Sequence, residues 1–238
     1  MNRVLINSSS IKENLYSISD TRVREHIVNH LKLKIGDTFK ATLLEKGTGL
    51  AIIKEIKETE ITVEMKTLDS PELPEIHLCV ATSRPPTLKK IIEHGTSLGV
   101  THFHFFKGEL SDKSYSMSKV LEPTSMASLA SLGLEQGAKN YKLPQFENLD
   151  SFDKLSLPET SNCFILSLED RKLLSEQRID INAPVILLIG SERGWTKKEE
   201  NTFRERGFIP VFLSEHVLRT EIATFSALSQ LEMIRLAR

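Results

Sequence analysis

Two short apolar runs, each breaking into a polar loop that opens a helix, constrain this chain more than any other feature. Val185-Ile186-Leu187-Leu188-Ile189 leads into Gly190-Ser191-Glu192-Arg193-Gly194. Val211-Phe212-Leu213 leads into Ser214-Glu215-His216-Val217-Leu218 and then Arg219-Thr220-Glu221. Runs this short and this apolar read as strands buried on both faces, which occur in parallel sheets covered by helices. Open α/β sheets bind ligands beyond the carboxyl ends of their strands. The two loops therefore mark a small-molecule site.

The loops carry their own local physics. Gly190 and Gly194 permit backbone conformations and close approaches that a Cβ forbids. Thr196 and Glu199 stand at capping-box spacing, so the pattern predicts a helix from Thr196, ended by Gly207. Ile209 to Leu213 is the next strand. Beyond Arg219, the spacing of Ile222, Phe225, Leu228, Leu231 and Ile234 predicts an amphipathic C-terminal helix. Gly-x-Glu-x-Gly is not the dinucleotide pattern Gly-x-Gly-x-x-Gly. A strand, a glycine turn and a capped helix occur in many α/β proteins. The information lies in the two loops occurring together, in this order and at this spacing.

Upstream, residues 1–70 are rich in short β-like segments. Thr38 to Leu44 and Gly49 to Ile56 read as strands joined by Glu45-Lys46-Gly47-Thr48, and Thr59 to Met65 alternates polar and apolar. Close antiparallel strands of this kind predict a small barrel. Asp69-Ser70-Pro71-Glu72-Leu73-Pro74 is the expected linker, because its prolines oppose both helix and ladder. From Ile76 the pattern changes. Strands at Ile76–Ala81, His102–Phe106 and Phe164–Leu168 alternate with helices at Thr87–Leu98 and Ser125–Gln136, which argues for a largely parallel sheet in a second domain, 71–238. His102 and His104 share a strand face, but no further metal-ligand partner is identifiable beside them, so no metal site is expected. Glu169 and Asp170 follow a strand and read as a solvated turn, with a polar lining of the ligand site as the alternative.

Composition sets limits. A hydrophobic fraction of 39% and a charged fraction of 26% describe a soluble globular chain. No apolar run is long enough to span a bilayer, and Met1 to Asn7 lacks a signal-peptide core. Cys79 and Cys163 lack zinc-ligand spacing and sit among apolar residues, as free thiols in a reducing cytoplasm do. The net charge of −1 is not that of a strongly basic nucleic-acid binder. Residues 84–142 hold eight basic and five acidic residues, which permits a local basic face without requiring one.

At the two loops the chain resembles the ribosomal RNA small subunit methyltransferase E family of the SPOUT superfamily. That family carries Ile-Gly-Pro-Glu-Gly-Gly in the first loop and Leu-Gly-x-Arg-x-Leu-Arg-Thr-Glu-Thr-Ala in the second. Gly190, Glu192, Gly194, Leu213, Leu218, Arg219, Thr220, Glu221 and Ala223 match, whereas Ser191, Arg193, Ser214, His216 and Ile222 depart. The likeness extends more thinly to His26–Asp37, with Lys32 at an arginine position, and to Leu98-Gly99-Val100. Ser97, Leu110 and Lys139 replace a glutamate and two arginines of the pattern.

The resemblance implies a SPOUT-type α/β fold with a C-terminal trefoil knot, preceded by a PUA-like, OB-type RNA-binding β-barrel. It implies S-adenosylmethionine as cofactor, held by Leu168, Ile189, Gly190, Glu192, Gly194, Leu213, Ser214, Val217, Leu218 and Thr220. It implies a homodimer acting on ribosomal RNA or the small ribosomal subunit, with methyl transfer to N3 of a uridine. Arg219 and Glu221 are the catalytic candidates, and Lys32, Arg84 and Lys139 the RNA-binding ones. Arg219 has two open roles: stabilising charge on the uracil, or holding a phosphate or pairing with Glu221. Glu221 is equally placed to cap its helix. For Arg84, an ordinary surface arginine is the more common outcome. The three lost substrate positions leave a non-catalytic RNA-binding relative as the alternative.

Overall fold

Alternating polar and apolar residues in the first seventy positions build a sheet with one buried face. In the computed structural model, residues 3–7, 10–170 and 172–237 are described. The chain divides into two units, Met1–Leu73 with Ser131–Leu143, and Pro74–Ala130 with Pro144–Arg238.

The first unit contains β1 (Val4–Ile6), β2 (Ser10–Lys12), β3 (Leu15–Ile18), α1 (Thr21–Glu25), β4 (Thr38–Leu43), β5 (Gly47–Ile56) and β6 (Ile61–Asp69). A π-helical turn, His26–His30, continues α1. The strands lie in the order β1-β4-β5-β6-β3-β2, antiparallel except for the parallel pair β1 and β4. Ile61, Val63 and Met65 alternate inward along β6 and join Val4, Ile6, Tyr16, Phe39 and Ile53 in one core. The expected strands at 38–44, 49–56 and 59–65 are β4, β5 and β6. The strands β1 to β3 are too short for periodicity to declare them.

The sequence boundary at residue 70 left out a later segment that belongs here. The carboxylate of Glu135 is buried and takes a bidentate grip from Arg22, Nη1 to Oε2 at 3.1 Å and Nη2 to Oε1. The Tyr141 hydroxyl donates to the Pro71 carbonyl at 3.2 Å, and the Glu45 amide to the Tyr141 carbonyl at 2.8 Å. These are side-chain and main-chain bonds across long sequence separation, which hydropathy patterns do not carry.

The second unit holds β7 (Ile76–Ala81), α2 (Pro85–Ser97), β8 (His102–Phe106), β9 (Gln145–Leu149), β10 (Asn162–Leu166), β11 (Val185–Ile189), α4 (Lys197–Glu205), β12 (Ile209–Val211) and α5 (Thr220–Leu236). The helix α3 (Pro123–Gln136) begins in this unit and ends in the first. The order is β12-β10-β11-β7-β8-β9, every pair parallel. Strands β7 and β11 are buried at every position, as runs covered on both faces must be. On one face Phe203 of α4 packs with Cys79, Phe106, Phe152, Ile165 and Ile186. On the other, α2 lies against Phe103, and α5 packs on α2 and β11. Cys79 is buried and Cys163 half-buried, both as free thiols, and burial pushes Cys79 well above the ordinary thiol range and raises Cys163.

Two expected elements end earlier than their apolar runs. β10 stops at Leu166 and β12 at Val211, leaving Leu168 and Leu213 in loops. The C-terminal helix turns a different face inward. Leu228 and Leu231 are buried with Thr224 and Ala227, while Ile222 is 45% exposed. Small residues let α5 approach its neighbours closely, so the buried stripe is set by fit rather than by hydropathy. No helix among the described residues is long and apolar enough to cross a membrane.

Replacing Arg22 with alanine strands a buried carboxylate. We expect a loss of about 1–3 kcal/mol in urea unfolding, read by a probe in the first unit; an unchanged midpoint means the pair adds nothing.

Candidate functional site

Parallel strands point all their carboxyl ends one way, and here those ends gather both sequence motifs around one cleft. Its volume is about 750 Å³. The end of β10 contributes Leu166 to Glu169, that of β11 Ile189 to Trp195, and that of β12 Leu213, Ser214 and His216 to Arg219, with Thr220 and Glu221 opening α5. Arg84 and Thr87, at the start of α2, close one side.

The glycine loop is a tight turn in which each glycine has a separate reason. Gly194 sits at φ +72° and its amide donates to the Ser191 carbonyl at 2.9 Å. A Cβ there meets nothing within 4 Å, so the demand is for left-handed backbone, not for space. Gly190 is the reverse case, since a Cβ on it would lie 3.2 Å from both the Gly194 Cα and the Trp195 ring. Trp195 is anchored by a stack on Phe106, centroids 6.1 Å apart, and an edge contact with Phe203. Thr196 caps α4 with the predicted reciprocal box, its Oγ1 accepting from the Glu199 amide at 3.2 Å and the Glu199 carboxylate accepting from the Thr196 amide at 2.9 Å. Glu192 accepts the Arg84 amide at 2.8 Å and so ties the turn to the N-cap of α2.

The second loop is more open. Val217 is 82% exposed, and the Ser214 hydroxyl is occupied by the His216 amide at 3.1 Å. Arg219 is exposed at the N-cap of α5, and among the described residues its guanidinium makes no hydrogen bond or ion pair. Glu221 is buried in the first turn of α5, facing Lys90 of α2 at 3.1 Å. Of the open roles of Arg219, the ion pair with Glu221 is not formed: Lys90 takes that place, because α5 packs on α2 and turns Glu221 inward while Arg219 stays outside. Burial alone would raise the Glu221 carboxyl. Its own amide, the Lys90 ammonium and Arg219 together hold it below the usual range.

All ten expected cofactor residues line the cleft, as do Arg219, Glu221 and Arg84. Lys32 and Lys139 do not, since both belong to the first unit. Sequence reasoning missed Lys90, Ser167, Trp195 and Glu200. Glu200 lines the cleft, and its burial, aided by Glu169, pushes its carboxyl up. Its signal was obscured by its place in a charged helix turn. The Glu169-Asp170 pair divides: Glu169 faces the cleft, whereas Asp170 forms an ion pair with Arg204.

Lys90→Met tests the buried pair. A carboxyl held below its unfolded value adds stability above that value and loses it as pH falls through the folded one. The variant should be about 1 kcal/mol less stable at pH 7, the partial exposure of Lys90 limiting the loss. The deficit should shrink between pH 7 and an acid pH below the folded value of Glu221, where the carboxyl is protonated in both states. An equal deficit at both pH values in urea unfolding would assign Lys90 a packing role only.

Residues 71–232 match a family model described as an RNA methyltransferase domain. The chain is 33% identical over 232 residues to ribosomal RNA small subunit methyltransferase E 1 of Borreliella burgdorferi, covering 95% of each. It is 31% identical to ribosomal RNA small subunit methyltransferase E of Treponema pallidum, over 85% of this chain and 79% of the relative. The crystal structure of a ribosomal RNA small subunit methyltransferase E from Neisseria gonorrhoeae bound to S-adenosyl methionine superposes with a TM-score of 0.79 at 19% identity, covering 98% of each chain. That likeness establishes a shared fold.

Proposed function

The chain belongs to the ribosomal RNA small subunit methyltransferase E family, and on that premise we propose that it transfers a methyl group from S-adenosylmethionine to N3 of a uridine in small-subunit ribosomal RNA. The observation that carries the proposal is the meeting of both motif loops in one cleft at the carboxyl ends of β10, β11 and β12. The residues present fit the cofactor. Leu168, Leu213 and Leu218 offer apolar surface for a flat ring, and the turn at 190–194 offers main-chain polar groups. The Ser191 hydroxyl and Trp195 Nε1 are buried without partners among the described residues. Glu169 and Glu200 place carboxylates where a cationic ligand finds compensation.

When bound, S-adenosylmethionine supplies an electrophilic methyl on a sulfonium. The chain's task is then alignment and charge. An imide nitrogen is a poor nucleophile until its proton leaves, and negative charge then spreads onto the uracil carbonyls. Arg219, permanently charged and with its guanidinium in no hydrogen bond or ion pair among the described residues, is the group for that charge. Glu221 serves as a positioning residue through its tie to Lys90 and α2. Arg84 is at the cleft rim to meet RNA, and Lys32 and Lys139 serve the same substrate from the first unit, which acts as the PUA-like RNA-binding module.

The fold in this proposal includes the family's trefoil knot. Its support is that β12 lies at the sheet edge beyond β10, yet α5 returns to pack on α2 and β11. A homodimer in the cytoplasm completes it. Leu228 and Leu231 are spent inside the protomer, so the face for a second copy is the one carrying Ile222, Met233 and Leu236, which are 45%, 69% and 74% exposed.

Two substitutions test the assignment. Gly194→Val forces a β-branched residue into left-handed backbone, and calorimetric titration with S-adenosylmethionine should show at least about a tenfold loss of affinity. Undiminished binding would remove the glycine loop from the site. Arg219→Ala should slow methylation about 10²–10³-fold, the effect of deleting one preorganised donor, while cofactor affinity holds. Mass spectrometry of methylated ribosomal RNA reads the rate. If RNA affinity and its salt dependence fall instead, Arg219 holds a phosphate. Cofactor binding without methylation of either naked RNA or small subunits would make the chain a non-catalytic RNA-binding relative.

A further inference from the structure

Three histidines lie stacked at the opposite end of the second sheet from the cleft. The register of β7 on β8 sets His77 beside His102, with ring centroids 4.1 Å apart and planes within 2°. His104 lies 5.1 Å from His77, also parallel. His77 and His104 are buried, His102 is half-buried, and Glu75, just before β7, is exposed. One segment at a time, His102 and His104 had no partners. The pairing of two strands supplies them.

The hydrogen bonds limit where free lone pairs can lie. The Thr101 hydroxyl donates to the Ile76 carbonyl at 3.0 Å, so it accepts from His102 Nδ1 at 3.0 Å. His102 Nε2 is therefore the bare nitrogen, and it has no hydrogen-bond partner among the described residues. His77 Nε2 lies 2.7 Å from the Glu75 carboxylate, His77 Nδ1 2.9 Å from His104 Nε2, and His104 Nδ1 2.8 Å from Glu147, so two neutral imidazoles have two protons for three contacts. When His104 donates to Glu147 and His77 Nδ1 to His104, His77 Nε2 turns a lone pair toward Glu75. That contact then calls for a cation, either a third proton or a metal ion. One ligand atom from each of Glu75, His77 and His102 lies within 4.8 Å of the others.

We propose that Glu75, His77 and His102 bind a divalent transition-metal ion of the zinc class, through His77 Nε2, His102 Nε2 and the Glu75 carboxylate. Two imidazoles and a carboxylate suit that class, with solvent completing the shell on the exposed side. The His77–His104–Glu147 relay orients the ligand ring, as outer hydrogen bonds do in such sites. Burial lowers all three imidazoles, which favours the neutral form that ligates. Rings stacked face to face aim their in-plane lone pairs side by side, so ligation takes a rotation of the His102 ring out of the stack, for which its exposed side leaves room. The site pins the segment entering β7 to the start of β8. It serves stability there, away from methyl transfer.

The full chain, stripped with chelator and desalted, is titrated with Zn²⁺ against a chromophoric competitor and with Co²⁺ by visible absorption. One equivalent should bind with a Kd of micromolar or below, with ligand-field bands for Co²⁺ and a raised melting temperature. Glu75→Gln and His102→Gln, both on the exposed side, should each weaken binding at least tenfold. His30→Gln, in the first unit, should leave it unchanged. Circular dichroism verifies that each variant is folded. Absence of saturable binding, or full binding by the Glu75→Gln/His102→Gln double variant, overturns the site. So does histidine NMR showing that only a proton occupies the Glu75–His77 contact when Zn²⁺ is present.

Discussion

The cleft depends on one pairing choice: β10 lies between β11 and β12 and is parallel to both. Neighbouring strands are about 4.8 Å apart, so the two motif loops are held about 10 Å apart, on either side of the loop from β10. That separation suits a ligand lying across three strand ends. If β12 had paired directly with β11, the loops would collide and Leu168 and Glu169 would have no place in the wall. Because every strand is parallel, all the loops open on the same end of the sheet.

Charge is distributed around this cleft by depth. Glu221 is buried with a compensating lysine from another helix, and Glu200 is partly buried with another carboxylate nearby and pushed up for that reason. Arg219 stays exposed at a helix N-cap. A fixed anion inside and an uncommitted cation at the mouth are the arrangement expected where an anionic polymer approaches from solvent. The same sheet carries its histidine cluster at the other end, so the two chemistries do not share residues.

The legibility of the chain follows the range of the interactions involved. The capping box at Thr196, the turn at Gly194, the buried runs of β7 and β11 and the helix beginning after Arg219 are local, and hydropathy and capping rules find them. The strands β1 to β3 are too short for any period. Glu135 reads as a helix-surface glutamate until Arg22 is brought to it from over a hundred positions away. Glu200 sits among charged neighbours and reads as solvated, yet it reaches into the cleft.

The sequence by itself determined the two loop motifs, the parallel α/β character of the second part and the strand-rich character of the first. These depend on backbone conformations and side-chain periods that a few neighbouring residues impose. Only the tertiary structure decided that Lys90 partners Glu221, that Leu228 and Leu231 are spent inside the protomer, that residues 131–143 join the first unit, and that His77 stands beside His102. Each of these joins positions separated along the chain, or chooses between helix faces of similar hydropathy. Strand register and packing fit make those choices, and neither is written in a local pattern.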